Sequence, residues 1–286
     1  MREIDGNTKV CGLIGNPVAH SKSPAIHNFL ASEMGYNLAY ACFPVEEGSV
    51  SKAVEGAYAL GFCGLNVTVP YKQEVIPFLK DIDPLAKKIG AVNTLVRCEG
   101  GFKGYNTDMP GLMRAFERDG VSVKDKDVII LGAGGVARAV AMLLEESGAS
   151  SLVIVNRNAD HAESLAGDVN YISGRNFARP LAIGDTDRLP SGRKYIVIQA
   201  TSVGMHPDTE NCVITDGSFY AHVETGYDLI FNPAETMFMK LCKKAGAEAF
   251  NGSKMLLYQG IIAYEHWTGL KVSDELADEC YKRIFE

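Results

Sequence analysis

Short apolar segments alternate with amphipathic ones along almost the whole chain. The runs "KVCGLIG" (9–15), "AYACFPV" (39–45) and "CGLNVTV" (63–69) have the length and composition of buried strands. Helical spacing of apolar residues separates them, first over 24–34. This alternation predicts the α/β class, with a mostly parallel sheet in the N-terminal half.

The segment "NVTVPYK" (66–72) shows strand alternation most clearly. Asn66 and Thr68 alternate with apolar neighbours, which is the periodicity of a strand. Pro70 cannot donate a hydrogen bond to a neighbouring strand, which predicts that the strand ends there. Lys72 then lies just beyond the strand, where a lysine is usually solvated and has no function.

A second pattern begins near residue 124, after a predicted hairpin ("VNTLVR" and "GFKGYN") and a helix that starts near Thr107. Here a strand, a glycine-rich turn, a helix and a strand follow within one βαβ unit. The helix is expected to bury one apolar face, formed by Val136, Val140, Leu143 and Leu144. Later strands are predicted at 195–199 and 226–231, and helices at 234–245, 253–268 and 273–285. Two α/β domains follow from these patterns.

Composition narrows the class of protein. The chain has 286 residues, 28 of them basic and 35 acidic, and a net charge of -7 without any basic block, so nucleic acid and anionic membranes are poor partners. The N-terminus is unlike a signal peptide, and no apolar stretch of about 18 residues follows. Seven scattered cysteines without a CxxC pair argue against disulfides and zinc and favour a reducing cytoplasm. No histidine spacing indicates a metal site.

The turn at 132–135 has the form of a dinucleotide-binding loop. Gly132 permits a tight turn, and Gly134 lets the backbone approach a pyrophosphate at the helix N-terminus. Ala133 and Gly135 complete the predicted loop, and Ala137 stands where the strict fingerprint has a third glycine. The structural alternative is a turn that needs glycine only for packing.

The end of the next strand favours NADP over NAD. An NAD-binding fold usually places an acidic residue there, whereas this strand ends in Asn156, Arg157 and Asn158. The Arg157 guanidinium suits a 2′-phosphate, which predicts NADP as cofactor with NAD as the alternative. A solvent-facing arginine at a strand end is the simpler explanation of Arg157 alone.

Four further stretches carry polar residues that each have an ordinary structural explanation. Ser23 before Pro24 is typical of a helix N-cap, which leaves Ser21 unexplained. Asn93 suits a turn, Asp108 suits the first turn of a helix, and Gln259 suits the exposed side of one.

Taken together and in order, these stretches resemble the shikimate dehydrogenase family. The matching segments run from residue 15 to residue 260. They are "GNPVAHSKSPAIHN", "GLNVTVPYK", "GAVNTL", "GYNTD", "LGAGGVARA", "VNR", "ATSVGM" and "MLLYQG". The combination of SKSP, NVTVPxK, GAVNT and NTD is highly specific.

The resemblance implies a discontinuous substrate domain at 1–106 plus 252–286 and a Rossmann NADP-binding domain at 107–251. It implies a cytoplasmic enzyme that reduces 3-dehydroshikimate to shikimate with NADPH, in aromatic amino-acid biosynthesis. Lys72 and Asp108 would be the catalytic pair. The substrate would also contact Ser21, Ser23, Thr68, Asn93, Tyr227 and Gln259, with the two serines and Tyr227 at its carboxylate. Thr201 and Met255 would join the loop residues at the cofactor.

Some residues depart from the family pattern. Family members that prefer NADP often have a second basic residue four positions after the arginine. Here His161 stands there and Asp160 adds a negative charge, which weakens the expected preference for NADP. Lys254 stands where the family usually has glycine. It would contact a cofactor phosphate or face solvent, and we expect the second. Gln199 replaces a more usual asparagine, which we interpret as a local change at a strand end.

Three alternatives to this function are considered. They are a quinate/shikimate enzyme that accepts NAD, a non-catalytic NADP(H)-binding regulator, and a module usually fused to a dehydratase. Monomer and homodimer both remain open.

Overall fold

The computed structural model describes residues 4–286. Residues 1–3 lie outside the described part. They belong to the predicted substrate domain and to the N-terminal segment that is unlike a signal peptide. Within the described part, no helix has the length and apolarity needed to cross a bilayer. The chain divides into two compact units, one formed by Met1–Leu112 with Leu256–Glu286 and one by Met113–Met255.

Twelve strands and ten α-helices are assigned within residues 4–286. The strands are β1 (Lys9–Gly15), β2 (Leu38–Pro44), β3 (Gly64–Val67), β4 (Asp81–Ile82), β5 (Thr94–Cys98), β6 (Gly101–Tyr105), β7 (Asp127–Leu131), β8 (Ser151–Asn156), β9 (Ala178–Ala182), β10 (Tyr195–Gln199), β11 (Val223–Asp228) and β12 (Glu248–Phe250). The helices are α1 (Ser23–Glu33), α2 (Val50–Ala59), α3 (Pro84–Ile89), α4 (Asp108–Arg118), α5 (Gly135–Glu146), α6 (Ala159–Ser173), α7 (Gly217–Tyr220), α8 (Met237–Lys244), α9 (Ser253–Thr268) and α10 (Asp274–Phe285).

The sheet of the first unit has the strand order β2-β1-β3-β5-β6-β4. β1 pairs parallel with β2 and β3, while β5 runs antiparallel to both β3 and β6. The α/β class with a mostly parallel N-terminal sheet is confirmed, and β5–β6 form the predicted hairpin. The carboxyl ends of β1, β3 and β6 and the amino end of β5 therefore meet at one edge of the sheet.

The sheet of the second unit is entirely parallel, with the order β12-β11-β10-β7-β8-β9. This is the doubly wound Rossmann order, so the predicted Rossmann-type fold is confirmed. The strand order reverses between β7 and β10, which is where such sheets bind ligands. Its core packs Ile129, Val153 and Val197 of the central strands against Phe219 and Phe238.

Asn66 is 4% exposed, because β3 lies between β1 and β5 and is buried on both sides. Two local predictions were wrong. The strand ends at Val67 rather than Pro70, and Val69 is 67% exposed. Val136 is 42% exposed, because the buried face of α5 is centred on Ala137, Val140, Ala141 and Leu144.

Gly111 lets α4 and α9 approach each other closely within the first unit. A Cβ atom at residue 111 would lie 2.7 Å from the backbone nitrogen of Gln259 and 2.9 Å from its Cα. Both contacts involve helix backbone, so a side chain at 111 must push the helices apart. This contact fixes the position of Gln259.

We expect Gly111→Ala to lower the free energy of unfolding by about 1–3 kcal/mol, because the added methyl group overlaps the α9 backbone. Gly56→Ala in α2 is the matched control, since a Cβ there meets no atom within 4 Å. The control should raise stability by up to about 1 kcal/mol through its better helix propensity. Urea denaturation of both variants would measure the difference, and equal effects would contradict the overlap.

Candidate active site

The polar edge of the first sheet collects residues that are far apart in sequence. Thr68 follows β3, Asn93 precedes β5, and Asp108 follows β6. Asn66 pairs in register with Thr94, and Thr94 pairs with Tyr105, so these strand ends lie side by side. The structure thus brings several predicted site residues to one edge of one sheet.

Lys72 and Asp108 form an ion pair at this edge. The Lys72 Nζ lies 2.7 Å from Asp108 Oδ2, and the two side chains are 27% and 17% exposed. The backbone of Lys72 is held by Val92, whose N–H donates to the Lys72 carbonyl at 2.8 Å. Asp108 opens α4, and its N–H donates to Asn106 Oδ1 at 3.1 Å. An ammonium and a carboxylate in contact, still reachable from solvent, can exchange a proton with a bound ligand.

The side-chain amides of two predicted site residues, Asn93 and Gln259, lie close to Thr107. The Asn93 Oδ1 accepts a hydrogen bond from Thr107 N at 2.8 Å. Gln259 Oε1 lies 3.5 Å from the Thr107 hydroxyl, and Gln259 Nε2 donates to the Leu256 carbonyl at 3.0 Å. Asn93 is 3% exposed and Gln259 is half-buried, so Gln259 is not a solvent-facing glutamine.

The two serines differ from the expected capping arrangement. Ser23 is the first residue of α1 rather than its N-cap, and it is 6% exposed. Ser21 Oγ accepts a hydrogen bond from Ser23 N at 3.1 Å, so Ser21 satisfies the helix amide. The prediction that Ser23 caps the helix was therefore wrong. The Ser21 hydroxyl still has its proton available for a ligand.

Sequence reasoning missed the buried polar residues behind this edge. Asn66, Thr94 and Thr107 are each at most 4% exposed, and His27 is fully buried. His27 stacks on Tyr40 with ring centroids 4.2 Å apart, and burial lowers the pKa of His27 to about 3, so the ring stays neutral. The available signal was a polar residue inside an otherwise apolar central strand, as at Asn66.

The glycine-rich turn of the second unit fits a pyrophosphate. Gly132 follows β7 with φ +118°, and a Cβ there would lie 2.9 Å from Thr201 Cγ2, so residue 132 must be glycine. A Cβ at Gly134 or Gly135 would meet no atom within 4 Å, which leaves the amides at the start of α5 open to a ligand. Ala133 is half-buried beside them. The turn lies at the strand-order reversal, where a dinucleotide is expected.

Arg157, which follows β8, has a side chain that is available to a ligand. Asn158 caps α6, its Oδ1 accepting from Asp160 N at 2.9 Å, and Asn156 Nδ2 donates to the Asn158 carbonyl at 3.0 Å. The Arg157 side chain is exposed, and it has no ion-pair partner among residues 4–286. The two asparagines therefore shape the turn, while Arg157 is free to meet an anion.

Gln199 and Asp228 hold Thr201 beside Gly132. Gln199 Oε1 accepts from Thr201 N at 2.6 Å, and Gln199 Nε2 lies 3.4 Å from Asp228 Oδ1. Asp228 also accepts from the Thr236 hydroxyl at 2.6 Å and is fully buried. Burial raises the pKa of Asp228 to about 6. Gln199, at the end of β10, is thus part of a buried network.

Lys254 differs from expectation, and Tyr227 shares its partner. Lys254 forms an ion pair with Asp119, whose side chain is 5% exposed, so Lys254 neutralises a buried carboxylate instead of facing solvent. Tyr227 is fully buried, and its hydroxyl donates to Asp119 Oδ2 at 3.0 Å. The contact between Tyr227 and a substrate carboxylate stays a prediction. Met255, also predicted at the cofactor, is half-buried in the first turn of α9.

Comparison with known proteins gives consistent matches along the chain. A family model described as "Shikimate dehydrogenase substrate binding domain" matches residues 13–95, and one described as "Shikimate / quinate 5-dehydrogenase" matches residues 114–181. The NADP(+) shikimate dehydrogenase of Carboxydothermus hydrogenoformans is 41% identical over 267 residues, which cover 93% of this chain and 94% of the relative.

Solved structures of other proteins also match this chain along nearly its whole length. A shikimate dehydrogenase crystallised with NADP+ has a TM-score of 0.89 and 38% identity, with coverage of 99% of this chain and 98% of that one. A shikimate 5-dehydrogenase from Listeria monocytogenes in complex with shikimate and NAD has a TM-score of 0.90 and 30% identity, covering 100% and 99%.

The buried Asp228 predicts an unusual dependence of stability on pH. In the unfolded chain this carboxyl loses its proton near pH 3.8, whereas in the folded chain it keeps the proton up to about pH 6. The folded state therefore binds more protons between these values, and the Asp228 contribution to stability is lost as pH rises from about 4 to about 6. The change is on the order of 2–3 kcal/mol.

Asp228→Asn isolates this contribution, because it keeps the shape and removes the titration. Urea unfolding of both proteins from pH 4 to pH 7 should show that the stability of the wild type relative to the variant falls across the window. A constant difference would contradict the assignment.

Proposed function

The chain belongs to the shikimate dehydrogenase family, and on this premise we propose that it catalyses the reversible NADPH-dependent reduction of 3-dehydroshikimate to shikimate. The observation that carries the proposal is the Lys72–Asp108 ion pair, at 2.7 Å, on the sheet edge that also holds Asn93. An oxidoreductase of this type would serve aromatic amino-acid biosynthesis.

We propose that the substrate-binding residues come from the discontinuous range 1–106 plus 252–286, together with Asp108 from the start of the range 107–251. Ser21 and Ser23 would bind the carboxylate, and the ring hydroxyls would contact Thr68, Asn93, Asp108 and Gln259. Short polar side chains suit a small polyhydroxylated anion, because each hydroxyl left unpaired in a closed site costs about 1–3 kcal/mol.

Lys72 and Asp108 would move the proton. In the reducing direction, the Lys72 ammonium donates a hydrogen bond to the ketone and stabilises the negative charge that develops on its oxygen. The proton then passes to this oxygen from the pair, and in the oxidising direction the pair accepts it from the alcohol. Asp108 orients Lys72 and binds the neighbouring hydroxyl.

The range 107–251 would hold the cofactor, and when bound, the nicotinamide supplies or accepts the hydride. The open amides at the start of α5 would bind the pyrophosphate of NADP. Arg157 would bind the 2′-phosphate, with Asn156 and Asn158 shaping the turn around it. Thr201 and Met255 complete the predicted contacts.

Two alternatives remain as outcomes of the assay below: an enzyme that also accepts quinate or NAD, and a non-catalytic NADP(H)-binding protein. The intact Lys72–Asp108 pair favours an enzyme over the second alternative. We also propose a cytoplasmic location, which is supported by the seven cysteines, all of them free thiols.

Lys72→Ala should lower kcat by about 10²- to 10⁴-fold and raise the KM for shikimate much less, because the ammonium stabilises charge that develops in the transition state. Lys87→Ala is the matched control, since Lys87 is exposed on α3. Steady-state kinetics at 340 nm would measure both constants. A raised KM with an unchanged kcat would assign Lys72 to binding alone.

The function itself is tested by combining shikimate or quinate with NADP+ or NAD+ and following absorbance at 340 nm. We expect strong turnover for shikimate with NADP+. Comparable turnover of quinate or with NAD+ would assign the protein to the broader quinate/shikimate group, and no turnover by folded protein would favour the non-catalytic alternative.

In the same assay, Arg157→Ala should raise the KM for NADP+ by roughly 10- to 150-fold, because one charge-assisted hydrogen bond to the 2′-phosphate is lost. The KM for NAD+ should hardly change. Arg179→Ala, which removes another exposed arginine of the same unit, should alter neither value. An unchanged ratio in Arg157→Ala would remove Arg157 from the cofactor site.

A further inference from the structure

We propose that Thr94 and Thr107 are positioning residues that hold Asn93 in one amide orientation, so that Asn93 meets the substrate only as a hydrogen-bond donor. The two threonines end a one-way chain of buried hydrogen bonds that begins at Tyr40. This inference rests on the proposed function, because it concerns the ring hydroxyl that Asn93 would bind.

The orientation of the Asn93 amide follows from a backbone group. Thr107 N lies 2.8 Å from the Asn93 side chain, and a backbone N–H can only donate. The atom that faces it must therefore be the Asn93 oxygen and not its nitrogen. Asn93 Nδ2 is then directed away from Thr107, and it makes no hydrogen bond to any residue in the range 4–286.

A chain of side chains supplies a second donor to the same oxygen. The Tyr40 hydroxyl donates to Asn66 Oδ1 at 2.7 Å, which turns Asn66 Nδ2 toward Thr94 Oγ1 at 3.1 Å. Thr94 Oγ1 thus accepts from Asn66, and its own proton is available for Asn93 Oδ1 at 3.0 Å. Burial raises the pKa of Tyr40, so its hydroxyl keeps its proton and remains a donor.

The other possible direction of the Thr94 hydroxyl leads to the same result. Thr94 Oγ1 lies 3.2 Å from Thr107 Oγ1, and either atom can be the donor. If Thr94 donates to Thr107, the Thr107 hydroxyl is free to donate to Asn93 Oδ1, which is also at 3.2 Å. In both arrangements a threonine hydroxyl and the Thr107 amide hold the Asn93 oxygen.

Water cannot replace any link of this chain, because Tyr40, Asn66, Thr94, Asn93 and Thr107 are all at most 4% exposed. A flipped Asn93 would place its NH2 group against the Thr107 amide and leave buried donors unpaired, which is costly in a dry interior. Asn93 therefore selects a ligand group that accepts a hydrogen bond. A hydroxyl oxygen meets this requirement, and an ammonium group at the same ring position does not.

The test uses the whole enzyme with Thr94→Val, which keeps the shape and removes the hydroxyl, and Thr94→Ser, which keeps the hydroxyl. We expect Thr94→Val to raise the KM for shikimate by about 5- to 30-fold. The kcat and the KM for NADP+ should change less than about twofold. Thr94→Ser should restore the KM, whereas a merely structural role would lower the active fraction, and hence the apparent kcat, without changing the KM.

Deoxy analogues of shikimate, lacking either ring hydroxyl that is not oxidised, identify the group involved. Removing the hydroxyl that Asn93 binds should raise the KM of the wild type, and this increase should shrink in Thr94→Val. Tyr40→Phe provides a second variant at the remote end of the chain and should shift the KM in the same direction. If Thr94→Val does not fold, Tyr40→Phe tests the proposal in its place.

The outcomes separate the two proposals. In one outcome the wild type oxidises shikimate, and the variants have the same KM as the wild type and the same rise in KM for each deoxy analogue. The positioning role is then wrong and the proposed function stands. If the wild type does not turn over shikimate, the proposed function fails, and this inference fails with it.

Discussion

The site depends on one constraint, which is that a central strand covered on both faces can present a polar side chain to a ligand only at its end. β3 has no exposed face, and every residue from Gly64 to Val67 is buried. Chemistry in this sheet is therefore confined to the edge where Thr68, Asn93 and Asp108 follow or precede strands. The second sheet obeys the same constraint, since Gly132 and Thr201 follow β7 and β10 at the point where the strand order reverses.

The same constraint explains which parts of the structure were predictable from sequence. Runs of apolar residues define buried strands and their order along the chain, so the βαβ unit and the hairpin were predicted close to their true bounds. The hydrogen bonds of Asn66 were not predicted, because strand alternation does not show that a polar residue serves a buried network. Val136 was misplaced because the buried face of a helix depends on the angle at which it packs, which sequence spacing alone does not give.

The candidate site, too, was predictable from sequence only in part. Lys72 and Asp108 were found through motifs, and their contact became visible only in the structure, because strand pairing determines which loops become neighbours. The role of Lys254 was not predictable, since its partner Asp119 lies 135 positions earlier in the chain. Tyr227 shares that partner, and a motif match does not report such a contact.

Buried polar groups do different work in the two units. In the second unit, Asp228 is a buried acid whose ionisation is opposed by burial, and its hydrogen bonds to Thr236 and Ile230 reduce this penalty only in part. In the first unit, burial raises the pKa of the Tyr40 hydroxyl, and the amides and hydroxyls from Asn66 to Asn93 do not ionise near neutral pH. A neutral network of this kind suits a position that must present one donor to a ligand. The charged chemistry is left to Lys72 and Asp108, which remain in contact with solvent and can exchange a proton with it.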